Sequence, residues 1–225
     1  DHRDLHSFPT RRSSDLSDLI KKLINIESTI NYCTPPPPGK DPFVVVSRDS
    51  HVLLSAPHGA KTYRNNKKEI WHEEDEYTAG MALLIGEICE VSVIATVFQI
   101  NNYDPNFSND EIVPYKKAIN SLIQERDIHF VIDLHGAALH SPAMDPEQTI
   151  DLGIRQKNPD DNPSMELRHI EELERILSNS RFIANEANFV VRRNKFPAIG
   201  QGTITSFVST KKIPGTYKNI QCVQI

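Results

Sequence analysis

The segment that most constrains the fold is IHFVIDL at residues 128–134, in which His129 and Asp133 are the only polar residues. A run this apolar is typical of a strand at the centre of a parallel sheet, where both faces are covered and water reaches neither. The strand is followed at once by His135 and Gly136. Because residues two apart on an extended chain point to the same side, Asp133 and His135 are predicted to lie together. A carboxylate and an imidazole at the end of a buried strand indicate a functional site.

Segments of strand and helix type alternate along the chain. Apolar residues recur at helical spacing in four segments: 17–29, 74–89, 112–126 and 164–177. Strand-like segments are found at 43–48, 51–57, 91–100, 128–134, 203–210 and 220–225. Because only Asp49 and Ser50 separate the first two strands, these are expected to pair as a hairpin. The alternation predicts an α/β fold of three layers, with helices on both faces of a mixed, largely parallel central sheet.

The chain divides into three regions of different composition. Its 225 residues are enough for one large α/β domain, which is expected at 43–225. Residues 17–42 are predicted to form a helix and a proline-rich connector, PPPPGKDP. Residues 1–16 have no hydrophobic period, and HSFPTRRSSDL within them resembles a translated sequencing adapter. We therefore expect residues 1–16 to be a non-native, disordered segment.

Charge and composition exclude several classes of partner. The net charge of −5 and the pI near 6.0 argue against nucleic acid. No apolar run approaches the roughly 20 residues that a membrane-spanning helix needs, so no membrane partner is expected. Three cysteines, far apart in the sequence, form no disulfide framework, which favours a reducing, cytoplasmic location.

A second segment, LLSAPHGAK at 53–61, repeats the pattern of an apolar strand followed by a histidine, His58, and a glycine. Ligands of open α/β sheets bind at the carboxyl ends of strands. His58 and His135 could therefore converge on one zinc ion, for which neutral imidazole is a common ligand; each could equally be a structural histidine. The segment HEEDEYT at 72–78 offers a carboxylate as third ligand. Acids before a helix also stabilise its dipole, so both interpretations of this segment remain open.

The polar loop NNYDPNF at 101–107 follows a strand, so it is predicted to lie at the same rim of the sheet. Its Asp-Pro-Asn sequence is also a common turn. Four side chains are candidates for hydrogen bonds to a substrate amide or carboxylate: Asn102, Asp104, Asn106 and Arg192. Five histidines have no comparable context: His51, His72, His129, His140 and His169. Only His140, five residues after His135, is expected near the site.

Together LLSAPHGA, EDEYTAG, NNYDPNF and VIDLHGA resemble the N-formylglutamate amidohydrolase family over roughly residues 43–225. The resemblance implies the zinc-exopeptidase fold shared with zinc carboxypeptidases and aspartoacylase. It also implies a zinc-dependent hydrolase that cleaves the amide bond of an N-acyl (N-formyl-type) amino acid or a similar small substrate. By position it makes His58 and His135 zinc ligands. Asp75 is favoured as the third ligand over Glu74, because it precedes the Tyr-Thr pair as in the family pattern.

The chain departs from the family pattern at identifiable positions. Lys61 stands where carboxypeptidases place a liganding glutamate, and the 101–107 loop lacks the arginine of the family's Asn-Arg pair. IQCVQI at 220–225 resembles the strand that leads to the catalytic glutamate. A general-base glutamate is therefore expected just after Ile225, in a chain truncated at its C-terminus, with Glu74 as the fallback base.

Asp133 is expected either to hydrogen-bond His135, and so select the ring nitrogen that faces the metal, or to act as a packing partner of that ring. Two alternative functions remain. One is a metallocarboxypeptidase-like hydrolase of peptide or cell-wall fragments, and the other is a non-catalytic binding protein with the same fold.

Overall fold

The computed structural model describes residues 13–64, 70–108, 113–136, 149–158, 160–180 and 188–225. Within these residues the helices are α1 (Ser13–Glu27), α2 (Thr78–Ile88), α3 (Pro114–Arg126), α4 (Leu167–Ser178) and α5 (Ile204–Ser209). The strands are β1 (Phe43–Val46), β2 (Val52–Ala56), β3 (Thr62–Tyr63), β4 (Trp71–His72), β5 (Ser92–Thr96), β6 (Phe130–Asp133), β7 (Thr149–Leu152), β8 (Val190–Arg193) and β9 (Gln221–Gln224).

The central sheet has five strands in the order β1-β5-β2-β6-β9. Strands β5, β2, β6 and β9 run parallel, and β1 is the antiparallel edge strand. All five residues of β5 are buried, as its apolar sequence SVIAT predicts for a strand covered on both faces. The prediction of an α/β fold around a mixed, largely parallel sheet is confirmed.

Side chains of the strands alternate between two helical layers. Leu53 and Val131 pack with α3 and α5 in one core cluster. Leu54 and Val93 face the other side and pack against the small residues of α2, which α1 contacts in turn. On that second side, Ile132 also contacts a cluster formed with β7 and α4. The helices therefore cover both faces of the sheet, as the alternation of elements predicts.

Two short two-stranded sheets flank the central one. Strands β3 and β4 pair antiparallel, and β7 and β8 pair parallel. A bridge between Gly153 and Gln224 joins the end of β7 to β9. Both small sheets bring residues to the carboxyl end of the central sheet.

The predicted hairpin of 43–48 and 51–57 is wrong. Strands β1 and β2 do not pair with each other, because β5 lies between them, antiparallel to β1 and parallel to β2. A fully buried strand needs partners on both sides for its backbone groups, and β1 and β2 supply them.

The predicted strand at 203–210 is also wrong, since this segment contains helix α5. Thr203 caps the helix by accepting a hydrogen bond from the Ser206 amide. Ile204, Phe207 and Val208, at helical spacing, join the core cluster with α3. Capping and burial on one face thus outweigh the β propensity of its branched residues.

Helix α1 begins at Ser13, four residues before the predicted start at 17. Leu16 lies one turn before Leu19 and Ile20 and extends the same apolar spacing. The first turn of α1 thus lies within the segment 1–16 predicted to be disordered. Residues 1–12 lie outside the described residues.

In the described part of the chain, each helix is too short or too polar to cross a membrane. The three cysteines are free thiols, with Cys33 and Cys89 exposed and Cys222 buried.

Candidate metal centre

The two strand-end histidines converge. Strands β2 and β6 are parallel neighbours, with Ser55 opposite Asp133, and each histidine follows its strand by two residues. The backbone amide of Leu134 donates to the Ser55 carbonyl at 2.7 Å, so the pairing continues past β6. The rings of His58 and His135 meet edge to face with centroids 5.0 Å apart. The structure confirms that these histidines lie at neighbouring strand ends.

The glycine after each histidine lies in a crowded part of the backbone, more so at Gly59 than at Gly136. A Cβ on Gly59 would lie 2.4 Å from the Ala79 Cβ of α2 and 2.5 Å from the Thr96 carbonyl oxygen. A Cβ on Gly136 would lie 3.1 Å from the Asp75 Cβ. The repeated His-Gly pairs therefore allow close packing of the site, and the second one lets Asp75 approach the end of β6.

Asp75 is held between the two histidines by its backbone as well as its side chain. Its amide donates to the His58 carbonyl at 2.8 Å, and its carbonyl accepts from the Thr78 amide and hydroxyl at the start of α2. Its Oδ2 lies 3.1 Å from His135 Nδ1 and 3.6 Å from His58 Nδ1. Glu74 projects elsewhere, with Oε2 4.0 Å from Cys33 Sγ. The structure thus brings Asp75, and not Glu74, to the two histidines.

Asp104 fixes the ring of His58. Its Oδ1 lies 2.8 Å from His58 Nε2, and its Oδ2 accepts from Arg64 Nε at 2.8 Å. The backbone amide of Asn106 also donates to Oδ1. A carboxylate beside Nε2 keeps the proton on that nitrogen, which leaves Nδ1 as the atom that faces Asp75.

Asp133 has the same relation to the second histidine. Its Oδ2 lies 3.1 Å from His135 Nε2, as the spacing of two residues on an extended chain predicts. Asn106 Nδ2 is also 3.3 Å from this nitrogen, while its Oδ1 accepts from the Ile204 amide of α5. The charged and closer carboxylate is the stronger partner for an Nε2 proton. Both histidines thus present Nδ1 to Asp75.

The carboxylates control the charge state of the metal-free cluster. Burial lowers the pKa of His135, but Asp133 and Asp75 outweigh it and raise the pKa to about 10. For His58, burial is likewise outweighed, mainly by Asp104, and its pKa is raised. Burial raises the pKa values of Asp75 and Asp104, yet the neighbouring cations bring both below their usual range. At neutral pH these shifts in pKa keep His135 protonated and favour the protonated form of His58.

The donor set fits a divalent transition-metal ion. One ligand atom from each of His58, Asp75 and His135 lies within 4.8 Å of the others. Ligands of a tetrahedral zinc ion, about 2.0–2.1 Å from the metal, are about 3.3 Å apart, close to the 3.1 and 3.6 Å seen here. His58 Nδ1 is buried without a hydrogen-bond partner among the described residues. A buried unpaired nitrogen that faces a carboxylate is suited to binding a cation.

The cluster lies on the wall of a cavity of about 610 Å³, a volume typical of small-molecule sites. The wall is formed by His58, Arg64, His72, Asp75, Asn106, His135, Gly136, Thr149, Ile150, Asp151, Phe196, Gln224 and Ile225. Among the candidate substrate residues, Asn106 lines this cavity. Asp104 lies beneath His58 with a fully buried side chain, which places it against the histidine and not against the cavity. Asn102 is exposed outside it, and Arg192 lies on β8 opposite Asp151.

The expectation that His140 alone among the remaining histidines lies near the site is wrong, because His72 lines the cavity. His72 and Arg64 have no distinguishing signal in the sequence. His72, at the end of β4, stacks on His58 with ring centroids 3.9 Å apart. Burial, together with the cations His58 and Arg64, lowers its pKa to about 4, so this ring is neutral. Arg64 places a cation at the cavity through its ion pair with Asp104. Their contacts depend on the β3–β4 pairing, which is too short to show a periodic pattern. His140 lies outside the described residues.

Comparisons with protein-family models, with curated proteins and with solved structures found no match to this chain.

Proposed function

We propose that this chain is a zinc-dependent hydrolase of an amide bond in an N-acyl (N-formyl-type) amino acid or a similar small substrate. The observation that carries the proposal is the convergence of His58, Asp75 and His135 on the wall of a ligand-sized cavity. Two imidazoles and one carboxylate, with the remaining side open to a substrate, are a ligand set used by catalytic zinc sites. The resemblance to N-formylglutamate amidohydrolases, which rests on the same residues, supports the reaction class.

In this proposal His58, Asp75 and His135 hold the metal. Bound zinc would supply a Lewis acid that polarises an amide carbonyl and makes water more acidic. Asp104 and Asp133 each keep a proton on the Nε2 atom of a histidine, so that Nδ1 stays available for the metal.

The cavity wall favours a small anionic amide. Arg64 contributes positive charge, and its Nε is oriented by Asp104; a guanidinium is the side chain best suited to a substrate carboxylate. It would take the place of the arginine that the 101–107 loop lacks. Asn106 adds an amide next to His135, where it could hydrogen-bond the acyl group.

The end of β9 borders the cavity, but it offers no general base among the described residues. Among the described residues no glutamate lines the cavity, and Glu74 lies away from it. Gln224 and Ile225 do line it, and the Ile225 carbonyl accepts from the His135 amide at 2.7 Å. The lack of a glutamate on the described wall also favours, as second candidate, a protein that binds metal and ligand without catalysis.

Two adjacent carboxylates provide a matched test of the metal centre. Asp75→Asn should remove the tighter zinc equivalent, the one bound at this cluster, whereas Glu74→Gln should leave it unchanged, as measured by metal analysis after dialysis and by competition with a chromogenic chelator. Equal affinities in both variants would overturn the assignment of Asp75.

Activity is tested separately, by following the release of free amino acid from N-formyl and N-acetyl amino acids. Turnover that requires zinc and Asp75 supports the hydrolase. Turnover that persists in Asp75→Asn or after removal of zinc would refute it, and stoichiometric zinc with no turnover on either substrate class would favour the binding protein.

A further inference from the structure

A second cluster of metal-binding side chains lies at the opposite end of the same two strands. His51 precedes β2 and His129 precedes β6, whereas His58 and His135 follow these strands. The pairing of Val52 with Phe130 places the two preceding histidines side by side. The His129 amide donates to the His51 carbonyl at 2.8 Å, and the two rings stack with centroids 4.4 Å apart. The parallel pairing thus brings two imidazoles together at each end.

Asp127 supplies a carboxylate to this second pair. It follows α3 with φ 49° and ψ 50°, a left-handed conformation that aspartate tolerates better than most residues. Its Oδ2 lies 3.1 Å from His129 Nε2 and 3.5 Å from His51 Nδ1. One ligand atom from each of the three residues lies within 4.8 Å of the others. The turn between α3 and β6 therefore aims a carboxylate at both rings.

We propose that His51, Asp127 and His129 form a second binding site for zinc, independent of the candidate catalytic centre. Two imidazole nitrogens and one carboxylate are a transition-metal ligand set, and calcium and magnesium prefer all-oxygen sites. The side chains of His51, Asp127 and His129 are 62%, 50% and 32% exposed, so water can fill the remaining coordination positions. Because these three side chains are exposed, water can also hydrogen-bond them when no cation is bound.

This exposure predicts weaker binding than at the first cluster. His51 Nδ1 lies 2.8 Å from the Asp127 backbone carbonyl, and metal binding through this atom would break that hydrogen bond. Bound zinc would connect the starts of β2 and β6 to the end of α3. Because the ligands come together only in the folded chain, zinc would stabilise the fold by this route.

The experiment is a zinc titration of the full chain by calorimetry, with Asp75→Asn to remove the first cluster. The native chain should bind two equivalents, and Asp75→Asn should retain the weaker one. Adding His129→Gln to that variant should remove this equivalent and the zinc-dependent rise in Tm. His169→Gln is the matched control, because His169 on α4 contacts Phe130 outside both clusters and its loss should change nothing.

A weaker equivalent that persists after His129→Gln would place it elsewhere and overturn the proposal, as would its absence from Asp75→Asn. Should His129→Gln fail to fold, Asp127→Asn tests the same site through an exposed side chain. Retention of the weaker equivalent in that variant would equally overturn the proposal. These outcomes do not depend on hydrolytic activity, so they leave the proposed function to its own test.

Discussion

Asp104 offers the sharpest test of how this chain positions a metal ligand. Its fully buried carboxylate accepts three hydrogen bonds of 2.8 Å, from His58 Nε2, Arg64 Nε and the Asn106 amide. Asp104→Asn keeps the shape but removes the charge and replaces one acceptor by a donor. The amide oxygen should stay toward His58 and Asn106, where two donors need it. Its NH₂ group then faces Arg64, another donor.

The substitution should weaken zinc binding by about 10–100-fold, the usual cost of removing a carboxylate behind a liganding histidine. That range corresponds to about 1.4–2.8 kcal/mol, at about 1.4 kcal/mol per tenfold. The free energy of unfolding should fall as well, by about 1–3 kcal/mol, because a partly buried donor, Arg64 Nε, loses its acceptor. The same exchange at Asp133 should act in the same way on His135.

Zinc affinity should be measured by chelator competition on metal-stripped protein, after circular dichroism has shown that the variant is folded. Asp161→Asn is the control. Its carboxylate caps the backbone amides of Lys157 and Asn158 in an exposed loop, so its loss should leave zinc affinity unchanged. A folded Asp104→Asn variant that binds zinc as tightly as the native chain would refute the argument that this carboxylate orients His58.

Two further predictions concern packing and protons. Gly59→Ala should lower the free energy of unfolding by about 1–3 kcal/mol, because the added Cβ would overlap Ala79 and the Thr96 carbonyl. An unchanged denaturant midpoint would contradict this. Zinc binding at pH 7 should release protons, because metal-free His135 has a pKa of about 10 and must lose a proton to bind. Apparent affinity should therefore rise with pH from 6 to 8. Binding enthalpies that do not depend on the buffer's ionisation enthalpy would contradict proton release.

The sequence by itself determined the main elements of the fold and two of the residues at its centre. Local burial sets the apolar spacing of strands and helices, so β2, β5, β6, β9 and helices α2 to α4 could be predicted from periodicity alone. His58 and His135 were identifiable for the same reason. Each directly follows a buried strand, and parallel strands place their carboxyl ends at one edge of a sheet.

Only the tertiary structure decided which segments and side chains meet. Nothing local to 43–57 reveals that β5 separates β1 from β2, because strand pairing depends on partners distant in the chain. Helix α5 forms where its branched residues favour a strand, because capping and core contacts are stronger than propensity.

At the site, too, the local sequence pattern identifies candidate residues, whereas packing determines which of their side chains are in contact. Asp104 is 46 residues from His58 in the sequence, yet the two share a buried hydrogen bond. Asp75 and Glu74 are adjacent acids; the family resemblance favours Asp75, but the start of α2 and the close approach of Gly136 are what bring it to the histidines. A sequence pattern indicates which residues are buried. The direction of a polar side chain depends instead on the groups that packing brings within hydrogen-bond distance.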